Sequence, residues 1–290
     1  MNSQKQIWNK KQHESKVEKF YSKGVENYGE FHGGYLNFGL WEPNNNINYV
    51  KAAENLIAHI GELLNLNNQS YLLDVACGMG SQTIFMHNQF GCKIQAIDVT
   101  YKHVQKTQER IDKHNLNDKI KVSHGTATKL PFEDNTFTHI SSIEGPEHFN
   151  TREQFFKEAF RVLKPSGVMA LADYNLKHDP QKLWEKALVE LARSLWHVPK
   201  ENRDTIERYK IKLEKSGFTN ITIEEVGEKV IPGYFFEQTK PEIKKELHKI
   251  RGWIATYPGH LIDWAVYKAH QKGLIDYIFV KAEKPKQSSH

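Results

Sequence analysis

Residues Tyr71 to Thr83 read YLLDVACGMGSQT, an apolar run that ends in two glycines and passes into helix-forming sequence. A short apolar run followed by glycines and then a helix is a strand–turn–helix unit. Gly78 and Gly80 leave room for a ligand to lie against the turn. The helix start at residues 81–83 presents backbone N–H groups that no helical carbonyl can take. Asp74, near the end of the strand, offers a carboxylate. Such a turn alone suits NAD, FAD or a purely structural bend. The dinucleotide fingerprint asks for a third glycine, and after Gly78-Met79-Gly80 that position is Thr83.

Working outward, the run KIQAIDVT from Lys93 to Thr100 ends a second strand in Asp98, twenty residues past Gly78. An acid at the tip of the second strand hydrogen-bonds the two ribose hydroxyls of an adenosine ligand. Two features at that separation carry far more weight than either alone. Further short apolar runs follow at Ile120–His124, Phe137–Ile143 and Val168–Ala172, alternating with helical stretches at Ile84–Asn88, Val104–His114 and Phe155–Leu163. That alternation is the pattern of βαβ units on a parallel sheet. Asn150 or Thr151 caps the helix after residue 150, with Glu153 three residues after Asn150, and Lys164-Pro165-Ser166-Gly167 stops it.

Before this alternation, Val17, Phe20, Tyr21, Val25 and Tyr28 form one apolar stripe at helical spacing. The glycine-rich aromatic stretch Phe31–Pro43 (FHGGYLNFGLWEP) reads as a shaped loop, and residues 49–65 return to helical spacing. After Asp173 come helical stretches at about 180–197 and 203–216, a strand at Ile221–Val226, an aromatic-rich insertion at 227–271 and a last strand at Leu274–Val280. The predicted organisation is an N-terminal helix and aromatic loop over residues 1–48, then one α/β domain over 49–290 carrying the insertion at 227–271. The two outer segments form a helical lid.

Composition narrows the class. Hydrophobic residues at 39% and charged residues at 26% suit a globular chain and exclude collagen-like or wholly disordered ones. No apolar run approaches the ~20 residues that cross a bilayer, and the start lacks the apolar core of a secretory signal. Two cysteines, Cys77 and Cys92, exclude a disulfide framework and fit a reducing, cytoplasmic setting. The net charge of +5 is spread among alternating lysines and glutamates, so the series Lys240–Arg251 (KPEIKKELHKIR) reads as a solvated helix face and nucleic-acid binding is not expected. No zinc-ligand spacing appears, so no metal site is expected.

The acid that precedes the glycines makes YLLDVACGMG resemble motif I of class I S-adenosylmethionine-dependent methyltransferases. HGTATKLPFEDNTFTHISSIEGPEHF (124–149) and REQFFKEAFRVLKPSGVMALADY (152–174) are similar to the family's later motifs, and the closing GLIDYIFVKAEKP (273–285) resembles its antiparallel last strand. The resemblance implies a Rossmann-like fold with a seven-stranded, mostly parallel sheet, and S-adenosyl-L-methionine as cofactor, released as S-adenosyl-L-homocysteine. It implies that Asp74, Gly78 and Gly80 hold the methionine part and Asp98 the ribose, with Ala76 and Gln82 as further cofactor-binding residues. Val99, Thr126 and Ala127 would flank the adenine, with Ile143 completing the cofactor wall. Ala76 replaces the first glycine of the family's turn, which implies a residue that needs no positive φ. Thr126-Ala127 replaces the family's Asp-Ala, which implies backbone contacts to the adenine amino group in place of a carboxylate.

The lead-in FYSKGVENYGEFHGGYLNFGLW (20–41) and the long insertion resemble the small-molecule branch, which includes sugar O-methyltransferases and the tocopherol and sterol C-methyltransferases. In that branch the N-terminal helix covers the cofactor, which makes Tyr21, Tyr28 and Tyr35 candidate acceptor-lining residues. A hydroxyl acceptor needs a base, and Glu144, Glu147 and His148 follow the fourth strand, with Asp173 at the tip of the fifth. The resemblance to sugar O-methyltransferases makes Glu147, His148 and Asp173 catalytic candidates. The sterol branch places an acid matching Glu144 beside the acceptor. The expected reaction is methyl transfer to a small, partly apolar acceptor, with hydroxyl oxygen first and carbon or amine nitrogen as alternatives. A cofactor-binding protein without turnover is a further alternative. No N-P-P-Y or D-P-P-Y sequence follows the fourth strand, which argues against nucleic-acid amino methylation. The sequence is compatible with a monomer or a homo-oligomer.

Overall fold

The computed structural model describes residues 2–22, 31–42 and 47–286. Tyr28 and Val25 lie outside these residues. Helix α1 (Asn2–Ser22) is followed by an irregular segment at 31–42 and by α2 (Tyr49–Leu63). Asn48 caps α2 by accepting the Lys51 N–H at 2.9 Å. Then come β1 (Tyr71–Val75), α3 (Ser81–Phe90), β2 (Lys93–Asp98), α4 (Tyr101–Lys113), β3 (Ile120–His124) and β4 (Phe137–Ile143). A short 3-10 turn at Pro146–His148 leads to α5 (Arg152–Val162) and β5 (Leu163–Leu176). The chain continues through α6 (Leu183–Leu195), α7 (Ile206–Lys215) and β6 (Thr219–Glu225). Three helices, α8 (Gly227–Thr239), α9 (Pro241–Arg251) and α10 (Trp253–Gln271), precede β7 (Ile275–Glu283).

The seven strands form one sheet in the order β3-β2-β1-β4-β5-β7-β6. β1 to β5 pair in parallel, and β7 runs antiparallel to both β5 and β6. The inner strands β1, β4 and β5 are covered on both faces and largely buried along their length, whereas the edge strands β3 and β6 are mostly not buried. Successive side chains alternate between faces. Leu72, Ile94 and Ala170 meet Leu56, Ile57 and Ile60 of α2 on one face. Leu73, Ile140 and Leu171 meet Phe155, Phe156 and Ala159 of α5 on the other.

One detail differs from the sequence expectation. Lys164–Gly167 does not separate α5 from its strand but belongs to β5, as an excursion between the pairs Phe137–Leu163 and His139–Val168. Ser166 adopts φ 62° there, and its N–H donates to the Lys284 carbonyl, so β7 holds the excursion in place. The aromatic insertion is entirely helical. In α9, Leu247 turns inward while Lys245 and Lys249 face solvent. No helix among the described residues is long and apolar enough to cross a membrane.

The chain builds β1, β2 and β3 in one direction and then returns to place β4 on the other side of β1. The loops leaving β1 and β4 therefore diverge and open a crevice at the carboxyl ends of the strands. Open α/β sheets bind their ligands at such a switch point.

Candidate active site

The turn after β1 is built from left-handed backbone at Ala76 (φ 61°), Gly78 (φ 57°) and Gly80 (φ 83°). Ala76 therefore corrects the expectation that alanine marks a position free of positive φ. Its N–H donates to the Ile97 carbonyl at 2.8 Å, and the turn holds this strained conformation against its ordinary cost. Gly78 donates its N–H to Asp98 Oδ2 at 2.9 Å, tying the turn to the tip of β2. Thr100 N–H and His103 Nδ1 sit at 2.8 and 3.2 Å from Asp98 Oδ1. A carboxylate offers about four lone-pair directions, so Asp98 retains acceptor capacity for a ligand.

A cavity of about 450 Å³ opens against this turn, within the ~300–1,000 Å³ typical of small-molecule sites. Of the expected cofactor residues, Ala76, Gly78, Gln82, Asp98, Val99, Thr126, Ala127 and Ile143 line it. Asp74 and Gly80 do not. Asp74 is fully buried and accepts from Gln82 Nε2 (3.0 Å), Thr83 Oγ1 (2.7 Å) and Ser141 Oγ (3.2 Å), anchoring the first turn of α3 to the sheet. Burial pushes its pKa up to about 6 against those three donors. At Gly80 a Cβ would stand 2.7 Å from Thr107 Cγ2, so this glycine permits α3 to pack on α4.

The four candidate acids and bases, three after β4 and Asp173 inside β5 rather than at its tip, divide the same way. Glu144 and His148 line the cavity; Glu147 and Asp173 do not. Glu144 adopts φ 53°, and its Oε1 accepts from Phe38 N–H and Tyr277 Oη, both at 2.7 Å. Burial pushes its pKa up to about 8 despite both donors. His148 is buried, with Nε2 2.8 Å from Tyr21 Oη. Burial, reinforced by nearby His13 and His197, lowers its pKa to about 3, so the imidazole is neutral. Asp173 instead forms a buried two-point ion pair with Arg152 at 2.8 and 2.9 Å, and also accepts from Tyr209 Oη at 2.8 Å. Glu147 is buried with neither carboxyl oxygen hydrogen-bonded among the described residues. Burial, followed by the charges of Asp173 and Glu144, raises its pKa well above the carboxylate range.

Of the candidate acceptor-lining tyrosines, Tyr21 and Tyr35 line the cavity and Tyr28 is outside the described residues. Tyr21 stands edge-on to both His103 and His148, with ring centroids 5.8 and 5.5 Å away. The opposite wall comes from Trp196 and from Tyr234, Gln238, Leu247 and Ile262 of the insertion. Sequence reasoning passed over His103, Arg152 and Glu14. His103, five residues after Asp98, was within reach of an i, i+5 reading. Arg152 and Glu14 meet their partners across 21 and 112 residues, and no local pattern marks such contacts. Among the described residues no cluster of His, Cys, Asp and Glu has the arrangement of a metal site.

A glycine turn, a β2 carboxylate and a crevice at the switch point make a Rossmann-like arrangement that suits a nucleoside ligand. Residues 72–167 match the family model described as a methyltransferase domain. The chain is 31% identical over 207 residues to erythromycin 3''-O-methyltransferase of Saccharopolyspora erythraea, a stretch covering 69% of this chain and 66% of that protein. The putative sarcosine dimethylglycine methyltransferase from Galdieria sulphuraria shares the fold at TM-score 0.79 and 18% identity, over 91% of this chain and 99% of the other. The [4+2]-cyclase SpnF does so at TM-score 0.75 and 20% identity, over 93% and 96%. The chain belongs to the class I S-adenosylmethionine-dependent methyltransferases, in their small-molecule branch, and its cofactor is S-adenosyl-L-methionine.

Proposed function

We propose that the protein methylates a hydroxyl oxygen of a small, partly apolar acceptor, with His148 as general base. The observation that carries this reading is the neutral His148 imidazole, which already holds a hydroxyl, that of Tyr21, at 2.8 Å beside the cavity. An acceptor hydroxyl that displaces Tyr21 can pass its proton to Nε2 as its oxygen gains the methyl group. S-adenosyl-L-methionine supplies that methyl group as an electrophile on a sulfonium sulfur. Gly78 and Asp98 position the cofactor on the β1–β2 side, and Glu144 and His148 position the acceptor on the β4 side. The chain's main contribution is alignment in a space that excludes water. Helix α1 and the α8–α10 insertion serve as the lid. Asp173 is a positioning residue: it holds Arg152, whose backbone N–H donates to Asn202 Oδ1, and the Asn202 amide donates to the Glu147 and Phe149 carbonyls of the turn that carries His148. The similarity to erythromycin 3''-O-methyltransferase supports oxygen as the acceptor atom.

A second reading rests on Glu144. A carboxyl group beside Tyr21, Tyr234 and Trp196 suits an isoprenoid, sterol or quinone-like acceptor methylated at carbon, where positive charge develops.

The test is a screen of hydroxylated glycosides and isoprenoids with S-adenosyl-L-methionine, reading products by mass and by proton spectrum. A methyl ether is expected, and a new C–CH₃ group favours the second reading. His148→Ala should lower kcat by about 10²–10⁴-fold with S-adenosyl-L-homocysteine affinity unchanged. Full turnover by that variant overturns the assignment of the base.

A further inference from the structure

We propose that Glu14, on helix α1, reads the exocyclic amino group of the cofactor's adenine, so that the lid supplies part of the nucleoside site. The inference rests on the cofactor assignment above. Along the carboxyl edge of the sheet the order is β3, β2, β1, β4. Asp98 at the tip of β2 takes the ribose, and the reacting groups Glu144 and His148 lie on the β4 side. The base must therefore extend the other way, over Val99 and the loop after β3.

The polar groups on that wall are few. The Val99 carbonyl is taken by His124 Nε2 at 2.9 Å, and the Gly125 N–H donates to the Asp98 carbonyl at 3.0 Å. Ala127 is apolar. Thr126 Oγ1 donates to Glu14 Oε1 at 2.6 Å, and Thr128 Oγ1 approaches the same oxygen at 3.3 Å. Both hydroxyls hold the carboxylate at the cavity wall, and Glu14 is itself a lining residue. Its Oε2 takes no hydrogen bond among the described residues. A purine with an amino group at position 6 gives that oxygen a donor, whereas a 6-oxo group sets an acceptor against it. A carboxylate delivered from α1 thus stands against the cavity-lining part of the β3 loop, residues 125–128, which has two threonines and no acid.

The test is calorimetric titration of the full chain with S-adenosyl-L-homocysteine and with S-inosyl-L-homocysteine. The wild type should prefer the adenosyl ligand by about ten-fold or more. Glu14→Ala should bring the two affinities within about two-fold, chiefly by weakening the adenosyl ligand. Glu14→Gln, which can offer a donor to the 6-oxo group, should narrow the preference as well and serves if the alanine variant folds poorly. Amide hydrogen exchange over residues 12–22 should slow more with the adenosyl ligand than with the inosyl one. A preference unchanged in Glu14→Ala overturns the proposal. Equal weakening of both ligands also overturns it, because Glu14 then only clasps the helix. A wild type that binds neither ligand refutes the cofactor assignment itself.

Discussion

His148 and Glu144 share one wall of the cavity, yet burial moves them in opposite directions because it penalises whichever form is charged. The His148 pKa falls from 6.5 to about 3, so its contribution to stability is complete above 6.5 and is lost as pH falls toward 3. The Glu144 pKa rises from 4.5 to about 8, so its contribution is complete below 4.5 and is lost as pH rises through 8. Between 4.5 and 6.5 these two slopes oppose each other; from 6.5 to 8 only the loss from Glu144 remains of the pair. Thermal unfolding should therefore show a midpoint that falls as pH rises from about 6.5 to 8, and Glu144→Gln should reduce that fall. An unchanged pH slope in the variant would place the Glu144 carboxyl in a solvated, ordinary environment.

At the scale of elements, the Arg152–Asp173 pair joins the first residue of α5 to β5, and Asp204 with the Asn202 and Tyr174 carbonyls are the guanidinium's other hydrogen-bond partners. Burial alone would lower the Arg152 pKa, but Asp173 holds it well above the ordinary value. Removing one partner strands a buried charge, which costs about 3–5 kcal/mol. Asp173→Asn should accordingly shift the urea midpoint strongly downward, while the fraction still folded loses much less kcat than His148→Ala does, because Asp173 acts only through the turn that carries His148. Unaltered stability with lost turnover would return Asp173 to the chemistry. The strands and the β1 turn were legible in the sequence because each is encoded locally, by apolar runs of fixed period and by glycines at left-handed backbone. Ala76 broke that code: its left-handed φ is imposed by the turn rather than by its own preference. The division of Glu144 and His148 from Glu147 and Asp173 was not legible. Glu144, Glu147 and His148 follow β4 and Asp173 lies within β5; Arg152 and Tyr209 turn Asp173 away from the cavity, and Tyr277 holds Glu144 at it, by contacts that reach across the fold.

For the whole molecule, the carboxyl edge of the sheet supplies one side of the cavity, and the segments at 14–21, 34–37 and 234–263, with Trp196, supply the rest. The cofactor half follows from the parallel-sheet topology, whereas the acceptor half depends on packing between segments more than 200 residues apart. The central claim is that the β1 turn and Asp98 form a nucleoside site for the methyl donor. The most direct measurement is calorimetric binding of S-adenosyl-L-homocysteine by the wild type and by Asp98→Ala, with NADH as the control. The structure predicts one ligand per chain for the wild type, no NADH binding, and about ten- to hundred-fold weaker binding in the variant. Undiminished affinity in Asp98→Ala, or binding of NADH in place of S-adenosyl-L-homocysteine, would contradict it.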